Sequence, residues 1–209
     1  MTDTTFDFHD GNGPVAAHRH RNPDGTLGGW VADTAQVYGT ARVYGNAQVY
    51  GTALVSGNAR VYGTARVYGT ALVSGNAQVY GNARVSGNAW VSGNAQVYGT
   101  ALVSGNARVY GNAQVYGNAQ IYGTALVSDN AQVYGTAQHL LIGPIGSRSA
   151  YLTWTRGDNC IATGCFRGSV DEFRASVIAT HGDNRHARVY LAALDFIAAT
   201  KAAWESESS

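Results

Sequence analysis

A chain of 209 residues with only 13% charged residues and a formal net charge of +1 is long enough for one domain, or for a solenoid with a small companion. Its near-neutral balance excludes a general attraction to nucleic acid or to a membrane surface. Two cysteines, Cys160 and Cys165, are too few for a disulfide framework, and their C-x4-C spacing is not that of a metal knuckle.

Residues 1–14 are polar and acidic (Asp3, Asp7, Asp10) and read as a flexible N-terminus. They lack the basic-then-apolar order of a signal peptide. No apolar run reaches the roughly 18 residues of a membrane span. The expected setting is therefore the cytoplasm, without a membrane partner. Residues 15–30 are predicted to form an N-terminal cap on the repeat array that begins at Val31. Val15–Arg21 suits a strand, and Asn22-Pro23-Asp24-Gly25 is a turn signal, with proline presetting one dihedral and glycine accepting positive φ. His18 and His20 would share one strand face. Arg19 and Arg21 beside them, with no further ligand at metal spacing, favour a solvated basic strand and no cofactor.

Residues 31–138 are 18 uninterrupted hexads reading V-x-G-[NT]-A-x with few departures. A period of six held this long is an architecture. Val, and Ile121 once, must point inward, and Ala must fill a corner too tight for a larger side chain. Gly supplies the corner dihedrals. Asn or Thr beside it can bond backbone groups left unpaired by the corner. The hexad resembles the hexapeptide repeat of left-handed parallel β-helices, in which three hexads make one triangular coil. That resemblance implies a mainly β fold of about six coils.

Residues 18 apart should then stack. One side carries Tyr44, Tyr62, Tyr80, Tyr98, Tyr116 and Tyr134, preceded across each Val by Arg42, Arg60 and then glutamines. A second carries Leu54, Leu72, Trp90 and Leu126, broken by Arg108, with Ser56, Ser74, Ser92 and Ser128 as small companions. The third is mixed. The Leu/Trp side is the candidate interface, since exposed apolar patches mark contact surfaces. Its expected partner is a second or third copy of the chain, or the C-terminal segment folding back. The Tyr column is either a structural stack or, with Arg42 and Arg60, an aromatic platform for a protein, a sugar or bases.

Residues 139–204 read as a small ββαα domain. His139 to Ser149 look like a linker, and a hairpin turning at Gly157-Asp158-Asn159 comes next. Ser169-Val170-Asp171-Glu172 is a capping box that opens a helix with Phe173, Val177 and Ile178 on its apolar face. Gly182 ends that helix, and Asp183 is expected to cap a second one carrying Tyr190, Leu194 and Ile197. Residues 205–209 are a polar tail. Cys165, with His181 or His186 as base, is the one nucleophile worth naming; a structural thiol in a small core is the expected reading.

Hexapeptide helices are best known from acyltransferases, which resemble this chain in the repeat alone. Such enzymes use a histidine and a projecting loop, and residues 31–138 contain neither. Ice binding would need outward Thr arrays, and here Thr lies at the corners. A wider resemblance rests on N-P-D-G-T-L-G-G-W-V-A-D-T-A-Q-V, on the V-[YS]-G-[NT]-A-x array and on I-G-P-I-G-S-R…T-G-C-F-R-G-S-V-D-E-F…T-H-G-D. With these motifs the chain is similar to a group of bacteriophage and prophage hexapeptide-repeat proteins. The resemblance implies a phage gene and carries over no functional residue. The function expected is a non-enzymatic binding scaffold acting on a host or phage protein, for example by occupying a host defence protein. A virion tail element contacting a surface sugar is the alternative.

Overall fold

The computed structural model describes residues 4–123, 125–128, 130–134, 139–147, 149–156, 159–164 and 166–206. Short strands β1 (Thr5–Phe6), β2 (Val15–Arg21) and β3 (Leu27–Ala32) lead into a run of two- and three-residue strands, from β4 (Gln36–Val37) to β20 (Gln132–Tyr134). Every third strand pairs in parallel, so Leu54 lies beside Leu72, Gln78 beside Gln96 and Arg66 beside Arg84, each 18 residues on. Three sheets of solenoid strands result, six strands deep, and β1 and β2 extend one of them. This is a three-sided parallel β-solenoid of six coils, and sorting the sequence by 18 assigns its sides correctly.

The hexad explains the coil. The solenoid valines from Val43 to Val133 and the alanines from Ala47 to Ala119 have no accessible surface, forming one apolar core along the axis. At the corners the glycines hold positive φ, as at Gly51 (φ 69°), where a Cβ would stand 2.9 Å from the backbone N and O of Gly69 in the next coil. Any other residue there would strain the dihedral and collide with backbone. Hydroxyls and amides of the fourth place close the corner. Thr64 donates to the Gly81 carbonyl at 3.0 Å and Thr70 to that of Gly87 at 2.9 Å. One corner carries an unbroken amide ladder. It runs from Thr40 to Asn58, then Asn58 to Asn76, Asn76 to Asn94 and Asn94 to Asn112 at 3.0 Å each, Asn112 to Asn130 at 3.2 Å, and from Asn130 to the Gly164 carbonyl. In-register parallel strands make such ladders possible, because they set identical side chains one strand spacing apart.

The N-terminal end is covered more thoroughly than the sequence pattern predicts. β2 and β3 pair as an antiparallel hairpin across the predicted turn, with His18 opposite Val31. Asn22, only 2% exposed, offers its amide to the edge strand β5 (Arg42–Val43): Val43 N–H donates to Oδ1 at 2.9 Å, and Nδ2 donates to the Val43 carbonyl at 3.2 Å. Gly28 and Gly29 let the hairpin cross that closely, since a Cβ would lie 1.7 Å from the Val43 oxygen at one and 2.2 Å from the Ala47 oxygen at the other. Residues 1–14 are not a loose arm over the stretch described. β1 pairs with β2, Phe8 is buried at 1% exposure, and it stacks on Tyr50 at 4.7 Å while Phe6 stacks on Trp30 at 4.4 Å. Ala32 provides the physical reason. It has no ring where Tyr50 and Tyr68 carry one, and Phe8 fills that place.

Beyond the last coil the sheet has four strands, two more than the predicted hairpin. β21 (His139–Ile145), β22 (Ala150–Thr155), β23 (Cys160–Thr163) and β24 (Phe166–Ser169) are antiparallel in that order. The expected linker is β21; its register shifts between Ile142 and Ile145, which lets Gly143-Pro144 sit at an irregularity. Helices α1 (Val170–His181) and α2 (Arg185–Ser206) cover one face of this sheet. Leu152, Trp154 and Ile161 meet Phe173, Val177, Tyr190, Leu194 and Ile197 there. β22 also packs against β20, so the sheet joins the solenoid's last coil to the helices.

The capping box at Ser169 is present in both halves, with the Glu172 N–H to Ser169 Oγ at 3.2 Å and the Ser169 N–H to Glu172 Oε2 at 2.8 Å. Bonds from the Ser169 backbone and side chain hold the Glu172 carboxyl below its ordinary pKa. Gly182 ends α1 as expected. Two expectations need correction. Asn184, not Asp183, caps α2, its Oδ1 accepting from the His186 and Ala187 N–H groups at 2.8 and 3.1 Å. Ile178 is 52% exposed and stands outside the α1 core face.

Candidate functional site

Two columns of outward side chains stand out in the sequence, and they are built differently. On the Tyr side, rings 62, 80, 98 and 116 stack at 4.8, 4.8 and 5.0 Å within 5° of parallel, and Tyr134 continues at 5.4 Å and 18°. The spacing is the strand spacing of a sheet. Each hydroxyl in the middle is bound as well: Tyr62 to Gln78 at 3.1 Å, Tyr80 to Gln96 at 3.2 Å and Tyr98 to Gln114 at 3.3 Å. Burial is the main reason the Tyr62, Tyr80 and Tyr98 hydroxyls titrate above the ordinary tyrosine value. Tyr44 is engaged elsewhere, its hydroxyl donating to Asp24 of the cap at 3.0 Å. Arg42 and Arg60 are register neighbours at the head of the column. Both ring faces of Tyr80, Tyr98 and Tyr116 are taken by other rings, so along these coils this side offers edges to a sugar or base.

On the other side, Leu54, Leu72, Trp90, Arg108 and Leu126 follow one another in parallel register. Leu54 and Leu72 are half-buried, and Trp90 stands 41% exposed. The Trp90 indole N–H reaches back to Ser74 Oγ at 3.3 Å, and the Arg108 guanidinium lies over the ring, 5.7 Å from its centre. Leu126 does not belong to an open flat strip. Together with Trp90, Arg108, Tyr110 and Tyr151 of β22 it lines a cleft of about 500 Å³. The apolar column is therefore partly exposed at Leu54 and Leu72 and most exposed at Trp90, and from Trp90 onward it borders the cleft walled by the C-terminal sheet.

Sequence reasoning treats Arg108 as an interruption and passes over Tyr110 and Tyr151. A signal for the first two exists: Tyr110 replaces the Ser that its column carries at 56, 74, 92 and 128, in the same hexad in which Arg replaces Leu. The third comes from outside the repeat and needs the fold.

Among the described residues no group of three or more His, Cys, Asp or Glu is arranged to hold a metal. His18 pairs with Asp33 at 2.8 Å, and His20 tucks its ring against the first coil, where burial lowers its pKa, with the nearby His18 adding to the shift and the Ala41 backbone opposing it. Cys160 is half-buried on β23. Cys165 and the turn residues Gly157 and Asp158 lie outside the described residues. His181 and His186 have ring centres 5.9 Å apart. Among the described residues no helix is long and apolar enough to cross a membrane.

A family model described as the YdcK beta solenoid repeat matches residues 35–51, 53–69, 77–93, 95–117 and 119–135. The matched segments all lie within the solenoid, in agreement with the six observed coils. No curated protein and no solved structure matches the chain.

Proposed function

We propose that this chain is a non-enzymatic, phage- or prophage-encoded scaffold that binds proteins through the apolar face of its solenoid, beginning with a second or third copy of itself. The observation that carries the reading is the partly exposed column Leu54–Leu72–Trp90, set in one register, with small serines at its flank. Serines 56, 74 and 92 are too small to cover the larger side chains, so Leu54 and Leu72 keep part of their surface in water beside the exposed Trp90, and such a strip favours removal from water by a partner. The rigid core beneath it keeps the strip flat, so binding carries little backbone ordering cost. Host or defence proteins are the partners we propose in addition to the self-contact, and the flanking motifs shared with phage proteins support that origin.

Light scattering on the purified chain tests this. Wild type should exceed the mass of one chain, and Leu72→Arg should reduce it to one chain with its far-ultraviolet circular dichroism unchanged. A wild-type monomer that captures no more host protein than Leu72→Arg does would defeat the reading. The virion alternative predicts the chain in purified particles.

A further inference from the structure

In a solenoid of interchangeable hexads, side chains that depart from their column mark the places where something besides the fold is specified. On the Leu/Trp side three departures coincide. Trp90 replaces Leu, one coil later Arg108 replaces Leu, and Tyr110 replaces Ser in the same hexad as Arg108. Register pairing sets Trp90 beside Arg108 and Arg108 beside Leu126. Tyr151, from β22, closes the space above them. The result is a cleft of about 500 Å³ with three aromatic side chains and one cation around it, well inside the range of about 300–1,000 Å³ in which small molecules bind.

The lining limits what fits. The one cation of the lining, the Arg108 guanidinium, lies over the Trp90 ring. A guanidinium held over an indole keeps its in-plane N–H fork available, and that fork matches a carboxylate with two parallel hydrogen bonds. Trp90, Tyr110 and Tyr151 offer flat apolar surface, with phenol groups at hand for hydroxyls. Unlike the Tyr62–Tyr116 stack, these rings are not paired face to face with a described neighbour of their own column.

We propose that the Trp90–Arg108–Tyr110–Tyr151 cleft is a binding site for a carboxylate carried on a six-membered ring, of the size of one hexuronate residue. Arg108 takes the carboxylate, Trp90 and Tyr151 wall the ring, and Leu126 closes the apolar floor. The same chemistry has two sources, an acidic sugar of a polysaccharide and a free aromatic acid.

Calorimetric titration of the full chain separates them, with a glucuronate-containing disaccharide, its neutral glucose counterpart and benzoate as probes. Wild type should bind the acidic disaccharide at least tenfold more tightly than the neutral one. Arg108→Gln should abolish that preference, and Gln is tolerated by the fold, since Gln36 occupies this column in the first coil. Tyr110→Ser, which restores the residue of its column, should weaken binding severalfold without changing the acid preference. Binding of benzoate but not of the disaccharide keeps the site and identifies a free aromatic acid as its ligand. Equal binding of acidic and neutral probes, binding unaffected by Arg108→Gln, or none of the three probes bound overturns the proposal. Light scattering on Arg108→Gln should match wild type, so a failed association reading and a failed ligand site are distinguishable.

Discussion

The tyrosine column and the leucine–tryptophan column grow from the same hexad on two faces of one solenoid. The tyrosines are regular, and their regularity is used up internally: ring faces on ring faces, hydroxyls on glutamines. The other column is irregular, leaves Trp90 41% exposed and meets a second element of the chain at its end. The difference teaches that, in a repeat this uniform, a perfectly repeated outward residue is first a structural part. A broken repeat is the better place to look for recognition.

The sharpest test of that contrast is Tyr80→Ala against Leu72→Ser. Tyr80 loses two stacked neighbours and a hydrogen bond, for a cost of about 1–3 kcal/mol from the aromatic pairs alone. Leu72→Ser removes only part of a half-buried side chain and no stacked partner or hydrogen bond, and should cost about 1 kcal/mol or less. Denaturant midpoints measure both, and equal losses would erase the distinction. Asn76→Ala cuts the corner ladder that both sides share. It should cost about 1–2 kcal/mol, two exposed hydrogen bonds' worth, without favouring either column. Tyr80→Phe removes only the hydroxyl bond to Gln96 and should cost about 0.5–1 kcal/mol. A larger loss would mean that the Gln partners, not the rings, hold the column.

Two pH effects are smaller. The folded-state pKa of Tyr80 is raised, chiefly by burial and then by Tyr62 and Tyr98. The stability this contributes is therefore present below the ordinary tyrosine range and is lost as pH rises through the folded value. Tyrosinate absorbance of the folded chain should develop later than that of the denatured chain. At the head of the leucine–tryptophan column the sign reverses. His20 is lowered by burial, so its contribution is complete above the ordinary imidazole range and fades as pH falls through that range towards the folded value. Protection of the Val31 and Val43 amides, relative to their intrinsic exchange rates, should fall in mild acid and should not do so in His20→Asn.

The solenoid is legible because its inward positions have one solution per hexad: a valine (Ile121 once), an alanine and, in all but the two hexads with Asp33 and Asp129, a turning glycine. The three sides are legible because parallel register preserves sorting by 18. What escapes is complementarity between distant segments. Phe8 makes sense only beside the missing ring at Ala32, and β21 hides because Gly143-Pro144 reads as a break until a register shift absorbs it. The asparagine ladder is within reach, since sorting the fourth place by 18 gives T-N-N-N-N-N in one corner. The cleft is half legible, in Arg108 and Tyr110, and half not, because Tyr151 arrives from outside the repeat.

That ladder also sets the step in which this molecule can change length. Losing a single hexad would turn every later residue onto the next face, shuffling tyrosines among leucines and threonines into the amide seam. Losing three at once would remove one coil, join Asn58 to Asn94 as readily as to Asn76, and leave every face and both ends as they were. Insertions and deletions in this gene should therefore come in multiples of 18 codons, a count that can be read from any set of natural length variants.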